Sequence, residues 1–309
     1  MTFSETVREK INKLASCRIL ILDGAMGSLI SNYNPGFDGI CDLLCLTIPD
    51  IVSQIHEDYL KAGADIIETC SFNAASIALD GGSDAGQAYR ISYVSAVLAR
   101  EAVEKFSTKE NPKFVAGSIG PAARSASISS GLGELEAAYY ENARGLIDGG
   151  ADFLIIETVF DALNAKAAVS AARQLSSERG IDIPVIISAT LTEEGRLLSG
   201  QTVEAFCASV EYANPLALGL NCSFGVEQLK PFVAAIAKAV PCLTIAYPNA
   251  GLPDCHGLYS ESPESMAGHI EEYLLEGFVN IVGGCCGSTP EHISSIAKVA
   301  KKYHPRSML

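Results

Sequence analysis

The chain has 309 residues, 48% of them hydrophobic and 19% charged, with a formal net charge of −14. This content builds a large core and excludes long disordered tails, while the acidic balance argues against nucleic-acid binding and offers no basic patch to a membrane surface. No apolar run is long enough to span a bilayer, the polar, helix-patterned residues 1–13 do not read as a secretory signal, and ten cysteines in a chain of this length read as reduced thiols of a cytoplasmic protein, not as a disulfide framework.

Residues 19–22 read as a first buried strand running into Asp23-Gly24-Ala25-Met26-Gly27. The lysine and hydroxyl of a phosphate loop are missing there, and Asp23 is either a cap on the next turn or a functional carboxylate. Apolar residues at Ile51, Val52, Ile55, Tyr59 and Leu60 give a helix over 50–62, stopped by Gly63. A second strand over 65–69 leads into Cys70-Ser71-Phe72-Asn73, followed by a long helix over 85–105 and a third strand at 114–118. Residues 122–133, rich in Ser, Ala and Gly, read as a long loop over one end of the fold, and long ordered loops are often functional.

A helix over 135–147 precedes Gly150-Ala151-Asp152-Phe153-Leu154-Ile155-Ile156-Glu157-Thr158, which nearly repeats Gly63-Ala64-Asp65-Ile66-Ile67-Glu68-Thr69. A weaker echo is Glu276-Gly277-Phe278-Val279-Asn280-Ile281. Further strands follow at 184–190, 216–222, 242–247 and 279–282, alternating with helices over 162–176, 203–212, 226–239 and 263–275. The last strand runs into Gly283-Gly284-Cys285-Cys286-Gly287. A final helix starts either at Ser288, which with Glu291 matches a capping box, or at Thr289 with Pro290 in the first position.

Eight continuous apolar strands, each followed by a helix, belong to a parallel sheet covered on both faces. At this length they predict one (β/α)8 barrel domain over residues 1–309, with a doubly wound open sheet as the alternative. In such a barrel the chemistry sits at the C-terminal strand ends, where this chain carries Asp23, Thr69, Glu157, Cys222, Asn249, Cys285 and Cys286.

Neighbouring cysteines seldom bond to each other, and a vicinal pair is often just two small buried residues. Here the glycine frame and the helix start behind it favour thiolates. With Cys222 at the sixth strand end, three thiolates can converge at the mouth, a zinc arrangement with one position open. Soft sulfur ligation favours zinc over magnesium or calcium. It suits holding another thiolate that remains nucleophilic. Asp23 and Glu157 at the same face suit an ammonium group, so the implied substrate is an amino-acid thiol.

The remaining candidates are weaker. His56 and His292 fall on helix patterns and read as surface or packed residues, and His256 follows the seventh strand without an assigned role. Cys41 and Cys45 have helical spacing but no accompanying pair at zinc-site spacing. Cys17, Cys207 and Cys242 read as core thiols, while Cys70 sits where it can line the pocket.

Leu22-Asp23-Gly24-Ala25-Met26-Gly27, Glu68-Thr69-Cys70-Ser71-Phe72-Asn73, Gly219-Leu220-Asn221-Cys222 and Gly283-Gly284-Cys285-Cys286-Gly287 resemble the zinc-dependent homocysteine S-methyltransferases. More narrowly, Glu157-Thr158-Val159-Phe160-Asp161, Leu198-Ser199-Gly200-Gln201-Thr202 and Pro248-Asn249-Ala250-Gly251-Leu252-Pro253 resemble the homocysteine-binding module of cobalamin-dependent methionine synthase. The resemblance implies zinc held by Cys222, Cys285 and Cys286 with homocysteine thiolate as fourth ligand. It further implies that Asp23, Gly24, Thr69 and Glu157 hold the amino-acid end, and that Asn249 fills the open zinc position when substrate is absent. It implies in-line methyl transfer from methylcobalamin carried by a separate module or protein, since no cobalamin or folate site is expected within these residues. The alternatives are a stand-alone enzyme using S-methylmethionine or betaine, and a non-catalytic zinc- or homocysteine-binding scaffold.

Overall fold

The computed structural model describes residues 5–34, 36–37, 39–75, 85–122 and 132–308. Its strands are β1 (Leu20–Ile21), β2 (Ile66–Glu68), β3 (Phe114–Ile119), β4 (Phe153–Val159), β5 (Val185–Ala189), β6 (Ala217–Cys222), β7 (Leu243–Pro248) and β8 (Ile281–Val282). All neighbours pair in parallel in the order β1-β8-β7-β6-β5-β4-β3-β2. A parallel bridge between Leu22 and Ile66, with the Asp23 amide donating to the Ile66 carbonyl at 3.0 Å, closes the ring. The sheet is therefore a (β/α)8 barrel and not an open doubly wound sheet. The expected loop over 122–133 lies, apart from its ends, outside the described residues. No helix among the described residues is long and apolar enough to cross a membrane.

The repeated Gly-Ala-Asp unit has a physical reason. Gly63 and Gly150 adopt φ of 111° and 104°, a left-handed turn that ends a helix and is open to glycine at low cost. The aspartate just before each strand then takes the amide of the neighbouring strand: Asp65 accepts from Ile21 N at 3.0 Å, and Asp152 from Val115 N at 2.8 Å. Asn280, in the weaker echo, does the same for Thr244 N at 3.0 Å. Arg18 and Lys113 pair with Asp65 at 2.5 and 3.0 Å, and Arg100 pairs with Asp152 at 2.6 Å.

Alternation along the strands sorts the core into two layers. One side chain set packs outward against the helices. The other fills the barrel with Leu20, Leu22, Ile66, Phe114, Ala116, Phe153, Ile155, Ile186, Ala217, Leu243 and Ile245. The helix Val7–Cys17 packs Ile11 and Ala15 against this interior cluster and plugs the N-terminal end of the barrel. Continuing the same inward phase toward the C-terminal ends brings Glu68, Ser118, Glu157, Ser188, Asn221 and Tyr247 into the topmost layer. The barrel is thus apolar at its base and polar at its mouth.

Two smaller expectations resolve here. Cys17, read as a core thiol, is exposed at the end of its helix, while Cys207 is buried and Cys242 half-buried. The final helix Pro290–Ala300 takes Thr289 as its cap, with His292 Nδ1 accepting from Thr289 N at 3.1 Å. Ser288 is used elsewhere.

Candidate metal and substrate site

β6 and β8 deliver the sulfurs. Cys222 and Ser223 hold φ of 55° and 61°, a left-handed pair that costs energy for residues with a side chain and is typical of functional sites. Past β8 the chain keeps pairing through its glycines: Gly284 N donates to Asp23 O at 3.1 Å, Cys285 N to Pro248 O at 2.7 Å, and Ala250 N to Cys286 O at 2.9 Å. The Sγ atoms of Cys222, Cys285 and Cys286 all lie within 4.8 Å of one another, and those of Cys222 and Cys286 are 3.8 Å apart. With Zn–S bonds of about 2.3 Å, two sulfurs of a tetrahedral shell stand about 3.8 Å apart, so Cys222 and Cys286 have the spacing of zinc ligands, Cys285 lies within reach of the same ion, and all three have the softness zinc favours. Hydrogen bonds from the thiols of Cys222 and then Cys285 pull the Cys286 thiol down to about 3. Those to Cys222 and Cys286, together with burial, hold Cys285 well above the usual range.

The trio opens onto a cavity of about 280 Å³ that is also lined by Asp23, Gly24, Thr69 and Glu157. Asp23 Oδ2 accepts from Glu68 N at 3.0 Å, and its Oδ1 is buried without a partner. Glu157 Oε1 accepts from Ser118 Oγ at 2.5 Å. Burial pushes Asp23 well above the usual carboxylate range, helped by the charge of Glu157, and raises Glu157 to about 7. Among the described residues that line the cavity there is no lysine, arginine or histidine. A cation entering from outside would favour the charged form of these buried carboxyls and be held by them in turn.

Gly24 is needed for shape: a Cβ there would stand 2.6 Å from Ser288 Oγ and 2.9 Å from the Tyr59 ring. Ser288 Oγ donates to Cys285 O at 2.7 Å and accepts from Ala25 N at 3.2 Å, tying the β1 loop to the cysteine pair. Thr69 lines the cavity, but its hydroxyl accepts from Ser118 N at 2.9 Å and donates to Ser71 Oγ at 2.7 Å. That donor direction follows because Ser71 spends its own proton on Ser118 O at 2.8 Å. Asn249 is outside the cavity lining, buried on the loop after β7. Its Oδ1 has no partner, and the next residue bonds Cys286 O.

Several lining residues were not anticipated. Glu68 is a third carboxylate at the cavity, with Oε1 unpartnered and its acidity suppressed by burial and by Glu157 and Asp23. The parallel between Glu68-Thr69 and Glu157-Thr158 was the available signal. Asp42 clamps the loop after β2, accepting from Asn73 N at 2.6 Å and Nδ2 at 2.9 Å, and nothing in its surroundings in sequence marked it. Cys70 lines the cavity as expected, and Cys41 joins it. His256 is exposed, whereas His56 and His292 are buried away from the cavity lining.

A family model described as homocysteine S-methyltransferase matches residues 20–300. Among solved structures, the chain is similar to the metallated form of the homocysteine methyltransferase MmuM from Escherichia coli. Identity is 23% over 93% of this chain and 98% of that one, with a TM-score of 0.75. For the apo form of the same protein the values are 24%, 91%, 96% and 0.71. A Rubisco-like protein from Rhodopseudomonas palustris is 13% identical over 98% of this chain and 70% of that one, with a TM-score of 0.50. At these identities the structural likenesses speak to the fold.

Proposed function

The chain belongs to the homocysteine S-methyltransferase family, and from that premise we propose that this single barrel binds homocysteine across the cavity, its sulfur at the cysteine trio and its ammonium group on the carboxylates. Cys222, Cys285 and Cys286 would hold zinc, and Asn249 would serve as fourth ligand without substrate. Bound there, zinc would supply Lewis acidity that keeps the homocysteine sulfur deprotonated near neutral pH. Asp23 and Glu157, joined by Glu68, would neutralise the ammonium group and fix the amino-acid end. Gly24 leaves room beside Ser288 for that end to approach the backbone, and Thr69 forms part of the wall. The oriented sulfur then attacks the methyl carbon in line, forming the S–CH3 bond as the donor's bond to that carbon breaks and the donor keeps the electron pair.

The observation that carries this reading is the presence, in one cavity, of three convergent sulfurs and a set of buried carboxylates with no basic residue among the described lining residues. We assign the donor as methylcobalamin carried by a separate module or protein, supported by the motifs around Glu157, Leu198 and Asn249. A stand-alone enzyme using S-methylmethionine or betaine is the second reading, favoured by the fold shared with MmuM along nearly its full length. Ten cysteines, all unpaired, fit a reducing compartment such as the cytoplasm. Methionine formation measured with each of the three donors separates these readings. Cys286→Ser is expected to lose zinc by metal analysis while keeping the far-ultraviolet circular dichroism of the parent. Full metal content and turnover in that variant would overturn the assignment.

A further inference from the structure

Asn221 is fully buried at the end of β6, next to Cys222, and faces the interior of the mouth. Its Oδ1 accepts from Thr158 N at 2.9 Å and from Ser188 Oγ at 2.7 Å. The Thr158 amide can only donate, so the orientation of the carboxamide is fixed by the backbone. Nδ2 therefore faces Thr158 Oγ1 at 2.8 Å and Cys285 Sγ at 4.0 Å. Both lone-pair positions and both N–H bonds of the side chain are thus directed at partners.

Those partners belong to the two halves of the site. Thr158 has φ of 54°, and the β4–β5 register shifts between Ile156 and Val159, so Glu157 sits on an irregular turn that the strand ladder alone does not hold. Asn221 grips that turn from inside through both the amide and the hydroxyl of Thr158. With the same amino group it presents a positive dipole to one sulfur of the trio.

We propose that Asn221 is a positioning residue that joins the carboxylate half of the site to the metal half, holding the Glu157–Thr158 turn and tempering the electron richness of the Cys285 sulfur. This rests on the three cysteines binding metal, as inferred above. Groups that support a metal's ligands in this way change metal affinity or activity by about 10- to 100-fold when removed.

The test uses the whole protein loaded with cobalt(II), whose bands report sulfur ligation directly. In Asn221→Ala the sulfur loses its N–H neighbour, so the sulfur-to-cobalt charge-transfer band should move to lower energy. Zinc affinity in a chelator competition should fall by about tenfold or more. Asn221→Asp preserves the side-chain shape and the acceptor oxygen while removing the N–H, and should show the same band shift even if the alanine variant does not fold. Homocysteine affinity should weaken in both through the released Glu157–Thr158 turn. A band position and zinc affinity equal to the parent's in a folded variant would overturn the role of Asn221 and leave the metal site standing. A parent protein that gives no three-sulfur cobalt spectrum would remove the metal site, and this inference with it.

Discussion

Replacing His56 by leucine is expected to stabilise the protein, and increasingly so as the solution is acidified. His56 lies on the helix Pro49–Ala62 with no exposed surface, and neither ring nitrogen has a hydrogen-bond partner. Burial alone lowers its pKa from 6.5 to about 4. At about 1.4 kcal/mol per pH unit, that displacement amounts to about 3 kcal/mol. The direction follows from which state takes the proton first. As pH falls below 6.5 the unfolded chain protonates His56 while the folded chain does not, so stability drains away until about pH 4, below which this contribution stays lost. Leucine has no such difference and also removes two unsatisfied buried nitrogens, worth roughly 1–3 kcal/mol at any pH. Urea unfolding of both proteins at about pH 8 and about pH 4 isolates the effect, because every other titrating group is common to the two. The stability gap should widen by about 3 kcal/mol at the lower pH. Parallel losses in the two proteins would mean that His56 is solvated or partnered in solution, and the reasoning would fail.

Gly24→Ala should weaken homocysteine binding by about tenfold or more, roughly 1.4 kcal/mol, because the new methyl group displaces Ser288 Oγ from 2.6 Å away. Zinc content should stay at the parent's level, and calorimetric titration with unchanged homocysteine affinity would count against the role given to this loop. Arg306→Ala should act on stability alone. The buried guanidinium donates to the carbonyls of Ala237, Val240 and Cys242 at 2.8, 2.6 and 2.9 Å, and its loss leaves three acceptors bare at a cost of about 3 kcal/mol or more. A lowered denaturant midpoint with unaltered homocysteine affinity is the expected pair of results; a normal midpoint would refute it.

The barrel was legible because each strand is a short, continuous apolar run and each following segment has a helical apolar stripe. The three sulfurs were legible because their strand-end positions converge only once the strands are arranged in a ring. Glu68 was missed for a physical reason: in strands buried on both faces the apolar pattern does not reveal which phase points inward, so Ile67 and Glu68 could not be told apart by direction. Once the ring is closed the phase is fixed, and Glu68, Ser118, Glu157, Asn221 and Tyr247 fall into one layer. His56 was read as a surface or packed residue. Its complete burial without any partner depends on packing that helix periodicity does not encode. Asp42 likewise depends on a partner far off in sequence, accepting from Asn73, thirty-one positions away.

The stopper formed by Val7–Cys17 and the filled interior above it close the cavity toward the N-terminal end of the barrel, leaving the C-terminal face for entry. Under the proposed function, homocysteine, the methyl group and methionine must all pass through the same doorway. A donor seated over that doorway blocks both delivery and departure, so turnover has to be sequential: the amino acid enters first, the donor arrives second, and the donor leaves before the product can. Trapping the donor in place should therefore strand methionine inside.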